Sequence, residues 1–225
     1  MPNTRIGPIA LTVLLPLCAP DALTAQDTPQ RLVGSRLHWH GAVTSAVATR
    51  TASNNEFING ELSAIAVQVV KPLVRWRRAT FSWLVEVQPV IRVASGAPPE
   101  RVPTLANDPA EAGNPDRLAR YARRRGLGVG IAPLGAEASL PVRPSTQVVF
   151  SVTSGGAWFN QVVPYGKATQ ANFTVAPGIA LQQQIGSRDL LAVGYALHHL
   201  SNASMGGANP GMNSHLLFMR WGRRR

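Results

Sequence analysis

The chain has 225 residues, one cysteine, and 22 Lys and Arg against 11 Asp and Glu, a formal net charge of +11. That length suits a single domain, and one cysteine excludes both a disulfide framework and a thiolate zinc site. Beyond the N-terminal segment no apolar run approaches the roughly eighteen residues a membrane-spanning helix needs.

Residues 1–25 read as an export signal: Arg5 supplies the positive charge, Ile9 to Leu17 the short apolar run interrupted by Pro16, and Leu23-Thr24-Ala25 a small-residue cleavage site. Cys18 lies inside this segment. Leu17 stands where a lipoprotein signal wants a small residue, so acylation is not expected. Arg5 and Asp21 cancel, so the mature chain 26–225 keeps the whole basic excess. An exported basic chain points away from nucleic acid and toward phosphorylated lipid or lipopolysaccharide, a basic soluble periplasmic protein being the alternative.

The mature chain shows almost no helical periodicity. Eight segments alternate apolar with small or polar residues, near 32–44, 60–71, 79–93, 126–135, 145–154, 172–183, 189–200 and 213–221. In the seventh, Leu191, Val193, Tyr195 and Leu197 share one face and Ala192, Gly194 and Ala196 the other. Connections after odd-numbered segments are long (45–59, 94–125, 155–171, 201–212) and those after even-numbered ones shorter (72–78, 136–144, 184–188). This alternation predicts an all-β fold for 26–225, an eight-stranded antiparallel transmembrane barrel with long external loops and short periplasmic turns. A soluble barrel of lipocalin type has the same strand count. The two differ in which face is apolar, outward in lipid and inward in water.

Within 94–125, the run from Arg117 through Arg120, Arg123, Arg124 and Arg125 reads either as a short interfacial helix or as a solvated basic loop. In the first case its arginines would meet substrate phosphates. Trp158 and Phe159 suit an interfacial aromatic belt. His38 and His40 flank Trp39 and read as structural. After Trp221 the chain continues into Gly222-Arg223-Arg224-Arg225. Bacterial barrels resemble one another in ending on an aromatic residue, so this extension departs from the pattern that assembly machinery recognises.

The chemistry-bearing stretch is His198-His199-Leu200-Ser201-Asn202-Ala203-Ser204, followed by Asn209-Pro210-Gly211-Met212-Asn213-Ser214. Strand alternation puts His199 and Ser201 on the face expected to meet lipid and turns His198 inward. A hydroxyl two residues from an imidazole supplies a nucleophile and a base, and polar groups on a lipid face are costly unless they serve a purpose. No metal-ligand spacing occurs, so neither metal nor other cofactor is expected.

The two-part motif from His198 to Ser214 resembles the lipid A 3-O-deacylase (acyloxyacyl hydrolase) family of outer-membrane barrels, with Gly128 to Gly135 a weaker match upstream. The resemblance implies a serine esterase in the outer membrane of a Gram-negative bacterium, hydrolysing a fatty-acyl ester on the lipid A glucosamine backbone. It implies Ser201 as nucleophile, His199 as general base, and Asn209 with the Ser204 backbone N–H as oxyanion donors. The family commonly has glycine where Ser204 stands. Asn213 occupies the place of the glutamate that orients the histidine in characterised members. Asparagine can accept from the imidazole N–H and fix its tautomer but does not neutralise the imidazolium. A non-catalytic barrel with a degraded triad, structural or lipid-binding, therefore stays open. His215 shares the parity of Asn213 and is a second candidate partner. Hairpin pairing is expected to set Ser201 opposite Asn213, with His199 on the diagonal.

Overall fold

The computed structural model describes residues 30–32, 38–51, 60–95, 124–164, 168–206, 209 and 211–224. The expected export signal and Arg117, Arg120 and Arg123 lie outside them. A two-residue strand, β1 (Gln30–Arg31), lies beside β3. Eight long strands follow: β2 (His38–Thr51), β3 (Glu61–Trp76), β4 (Ala79–Ser95), β5 (Arg124–Arg143), β6 (Thr146–Val163), β7 (Thr169–Ile185), β8 (Asp189–Ser201) and β9 (Met212–Arg224). Each of the eight pairs antiparallel with the next, and β9 pairs back onto β2, from His38↔Arg224 to Thr51↔Met212. The sheet is therefore closed and the eight strands leave no edge along most of their length.

The apolar side faces outward. Ile65, Val87, Val129, Ile131, Leu181 and Val193 are between 43% and 59% exposed. The inward set holds buried Glu86, Glu137, Gln182 and Arg220. Strands of 13 to 20 residues exceed the roughly ten that a tilted strand needs to cross hydrocarbon. An apolar exterior around a polar interior is the transmembrane arrangement, and the lipocalin alternative is thereby excluded.

The strands are longer than the sequence predicts because residues that read as turns are absorbed into bulges. Register shifts occur at Pro72/Val74, at Pro141/Arg143 and at Ile131/Leu134, which spans Pro133. Proline has no N–H for the ladder and is tolerated where pairing is interrupted. The segment 155–171, expected as a long loop, is mostly strand: β6 runs to Val163 and β7 begins at Thr169. Its glycine-rich look has a packing cause. A side chain on Gly155 would collide with the backbone of Ile131 and Ala132 at the neighbouring bulge. Arg124 and Arg125 open β5 and so belong to a strand, not to an interfacial helix. Phe159 is a further correction. It points inward with 0% exposure and packs with Leu200, Met212, Ile91 and Val93 at the loop end of the lumen, while Trp158 alone faces out.

Connections of two or three residues (77–78, 144–145, 186–188) gather at one end, and 52–60, 96–123, 164–168 and 202–211 at the other. Below the apolar plug the lumen holds a polar network. Arg220 donates to Glu137 at 2.8 Å, to Gln182 at 2.7 Å and to Gln68 at 3.3 Å, and Gln68 donates to Glu86 at 2.5 Å. Ala42 and Ala192, the cross-strand neighbours of Arg220, leave space for its guanidinium.

Candidate active site on the lipid-facing wall

The β8–β9 hairpin carries the site. Residues 189 to 201 alternate in burial, with His198 and Leu200 buried inward and Leu197, His199 and Ser201 on the outer side. His199 pairs directly with Asn213 across the hairpin, and Leu200 with Met212. The expected register, with Ser201 opposite Asn213, is thus corrected by two residues. The ladder runs to Leu200↔Met212, and the ten residues 202–211 connect the two strands. Asn213 consequently faces His199 squarely, and its Oδ1 lies 2.7 Å from His199 Nδ1. An amide oxygen only accepts, so Nδ1 bears the proton and Nε2 presents its lone pair. Ser201, two positions along on the same face, pairs with Phe173 of β7, and its Oγ accepts the Ala203 N–H at 3.4 Å. Among the described hydrogen bonds none joins Ser201 to His199.

The turn beyond Ser201 is held by Asn202, which is 1% exposed. Its Oδ1 accepts the Ser204 N–H at 3.1 Å, its carbonyl accepts the Met205 N–H at 3.0 Å, and its own N–H donates to Asn209 Oδ1 at 3.2 Å. The two expected oxyanion donors are therefore engaged in different ways. The Ser204 N–H is committed to Asn202, whereas Asn209 uses its oxygen on the turn and keeps its amide NH₂ group for another acceptor. Ala203 and Ser204 have φ of 48° and 64°. This left-handed region costs a non-glycine residue about 1–2 kcal/mol. Ser204→Gly is expected to preserve every backbone contact and to raise stability by about 0.5–1 kcal/mol, after the greater unfolded freedom of glycine is deducted. Urea denaturation of the folded barrel measures this.

His215 lies on the same outer face but turns to Tyr195, whose hydroxyl is 2.5 Å from His215 Nδ1. It does not reach the His199–Asn213 pair through any described contact. His198 and Ser214 pair on the inner face, directly behind the site. Both are buried, at 4% and 0% exposure.

A groove beside Ser201 escaped the sequence reading. Val129 and Ile131 of β5, Trp158 of β6, Phe173 of β7 and Met205 of the turn surround an open, mainly apolar hollow of about 350 Å³. Gly156, whose position faces outward between the cross-strand neighbours Ile131 and Phe173, supplies its floor. No spacing rule points to this groove, because its members come from three strands and a turn. The described residues include no group of three or more His, Cys, Asp or Glu placed to hold a metal ion.

A closed barrel with an apolar exterior, carrying a hydroxyl, an imidazole and an amide together on that exterior, defines a transmembrane β-barrel with a polar site open to the bilayer. The chain resembles the lipid A 3-O-deacylases: the family model "Lipid A 3-O-deacylase (PagL)" matches residues 121–222, which contain the groove and the hairpin up to Gly222. The crystal structure of the outer membrane enzyme PagL is similar in fold, with a TM-score of 0.51 and 16% identity over 81% of this chain and 97% of that one. Ail, the attachment invasion locus protein of Yersinia pestis, solved with the heparin analogue sucrose octasulfate, aligns at a TM-score of 0.43 and 8% identity, over 84% of this chain and 99% of Ail. No curated protein sequence gives a significant match.

Proposed function

We propose that this protein is an outer-membrane lipid A deacylase, hydrolysing a fatty-acyl ester, 3-O-linked on the glucosamine backbone, through an acyl-enzyme on Ser201. The family match over 121–222 supports the substrate class. The observation that carries the chemistry is the 2.7 Å bond from His199 to Asn213 on the lipid-facing side of β8 and β9. It leaves Nε2 as the base on the face that Ser201 shares. In this reading Nε2 takes the Ser201 proton as Oγ attacks the ester carbonyl and returns it to the departing sugar oxygen, which leaves the acyl group on Oγ. Water, giving its proton to Nε2, then attacks the acyl carbonyl, and Oγ departs with that proton as the fatty acid is released. The Asn209 amide NH₂ faces the developing oxyanion. The released acyl chain lies along the groove of Val129, Ile131, Trp158 and Phe173, where it remains in apolar surroundings. An outward-facing site meets a leaflet lipid without drawing it out of the bilayer. Arg125, exposed at the loop end of β5, is the member of the arginine run that would meet lipid A phosphate; Arg120, Arg123 and Arg124 are proposed with it. The test is mass spectrometry of lipid A from cells with and without the protein, where loss of one hydroxyacyl mass supports the reading and an unchanged spectrum rejects it.

Asn213 is the point at which a non-catalytic barrel would differ. If its amide orients the imidazole, Asn213→Ala lowers the deacylation rate by about 10²–10⁴-fold, the range a positioned general base contributes. Asn213→Glu raises it by roughly tenfold, because a carboxylate also favours the imidazolium. Equal rates for parent and Asn213→Ala would place the orienting group elsewhere, with His215 next to be replaced.

A further inference from the structure

Most of the described positive charge of this chain sits at the end of the barrel away from the candidate site. In the connection 96–123 four arginines are matched by four acidic residues, Arg124 and Arg125 follow at the start of β5, and Glu56 lies in 52–60. Of the described residues there, Arg92 is 4.0 Å from Glu61. The short-turn end is different. Arg75, Arg77 and Arg78 cluster at the β3–β4 turn, Arg143 closes β5 and Arg188 sits in the β7–β8 turn, all exposed. Arg31 of β1 and Arg223 of β9 extend the same ring. Among the described residues Asp189, 4.0 Å from Arg223, is the acidic side chain at this end that reaches the surface.

Just inside this ring lies an aromatic girdle. Trp39, Trp76, Phe81 and Trp221 are each within four residues of the turn-side end of their strand and are 41–55% exposed on the outer face. The Arg77 guanidinium lies 5.4 Å from the centre of the Trp76 ring, so cation and aromatic occupy one level. Exposed indoles settle at the boundary between hydrocarbon and headgroups. Guanidinium groups immediately beyond them stand at phosphate depth, and their planar fork matches a phosphate oxygen pair.

We propose that the short-turn end of the barrel is a binding collar for anionic glycerophospholipid headgroups, which holds the protein in the leaflet opposite the one its active-site hairpin faces. Charge complementarity selects the occupant: a predominantly positive ring at phosphate depth discriminates an anionic headgroup from a zwitterionic one. The proposal rests on the barrel and its charge distribution, not on the esterase reading.

The test uses the full protein carrying Trp158→Phe, so that the tryptophan signal comes from the turn-side half, reconstituted in bilayers of mixed phosphatidylcholine and phosphatidylglycerol. Quenching by brominated phosphatidylglycerol is compared with quenching by brominated phosphatidylcholine. Several arginines at an anionic surface should favour the anionic lipid about threefold or more. The preference should fall toward one between 50 mM and 500 mM salt, as exposed charges are screened. Replacing Arg75, Arg77, Arg78, Arg143 and Arg188 by Gln should abolish it, and Arg92→Gln at the loop end should leave it intact. Equal quenching by the two lipids in the parent at low salt overturns the proposal, as does a five-fold variant that keeps the preference. If that variant does not insert, the parent's lipid ratio and its salt dependence decide.

Discussion

Ser201→Ala and His199→Ala should each reduce lipid A deacylation by about 10³-fold or more while the barrel still folds and inserts. Members of a nucleophile–base pair act as a unit, so either loss removes most of the acceleration and leaves only what binding and oxyanion donors supply. Neither residue supports the fold through many contacts. Ser201 ends β8, and its described side-chain bond is the 3.4 Å one from Ala203. His199 is half-buried and bonds Asn213 at the outer surface. Inserted protein is quantified by resistance of the barrel to unfolding in cold detergent, and activity by the lipid A mass spectrum. Undiminished deacylation by Ser201→Ala would remove the nucleophile assignment. Loss of insertion together with activity would show that the hairpin is structural.

The second large effect is expected on stability, in the lumen. Arg220→Ala should destabilise the barrel by about 3–5 kcal/mol, because it leaves the Glu137 carboxylate buried without its cation. The ion pair is 2.8 Å long, with side chains 3% and 6% exposed. Gln182 and Gln68 would lose their partner as well. An apolar double replacement, Arg220→Met with Glu137→Leu, should recover much of the loss, since no uncompensated charge remains. Urea unfolding in one detergent measures all three variants. Arg220→Ala unfolding at the parental midpoint would mean that water enters the lumen and solvates Glu137.

How far the sequence reaches depends on the range of the interaction that decides each feature. Two-residue alternation is local. It was sufficient to place Leu191, Val193, Tyr195 and Leu197 on one face of β8 and to carry His199 and Ser201 onto that face, with His198 turned inward. It also fails locally. Phe159 reads as a belt residue beside Trp158, yet neighbouring positions on a strand must point to opposite sides. Strand ends were harder, because glycine and proline mark turns and bulges alike: Pro72, Pro141 and Gly155 all lie within strands, at or facing bulges. The Ser204 position illustrates a constraint written in the fold rather than the residue, since a serine there accepts a φ of 64° for which glycine is better suited.

By itself the sequence determined the number and amphipathic face of the long strands, the asymmetry of their connections, and the local stretch that holds histidine, serine and asparagine. These are properties of neighbouring residues. The tertiary structure alone decided that Asn213 stands opposite His199 rather than Ser201, because register depends on how a ten-residue connection folds. It alone assembled the groove from β5, β6, β7 and Met205, and joined Arg220 to Glu137 across 83 positions of sequence. It also gathered most of the described positive charge at the end of the barrel away from the candidate site. A net charge is a sum and carries no position; closure of the sheet gives each arginine its end.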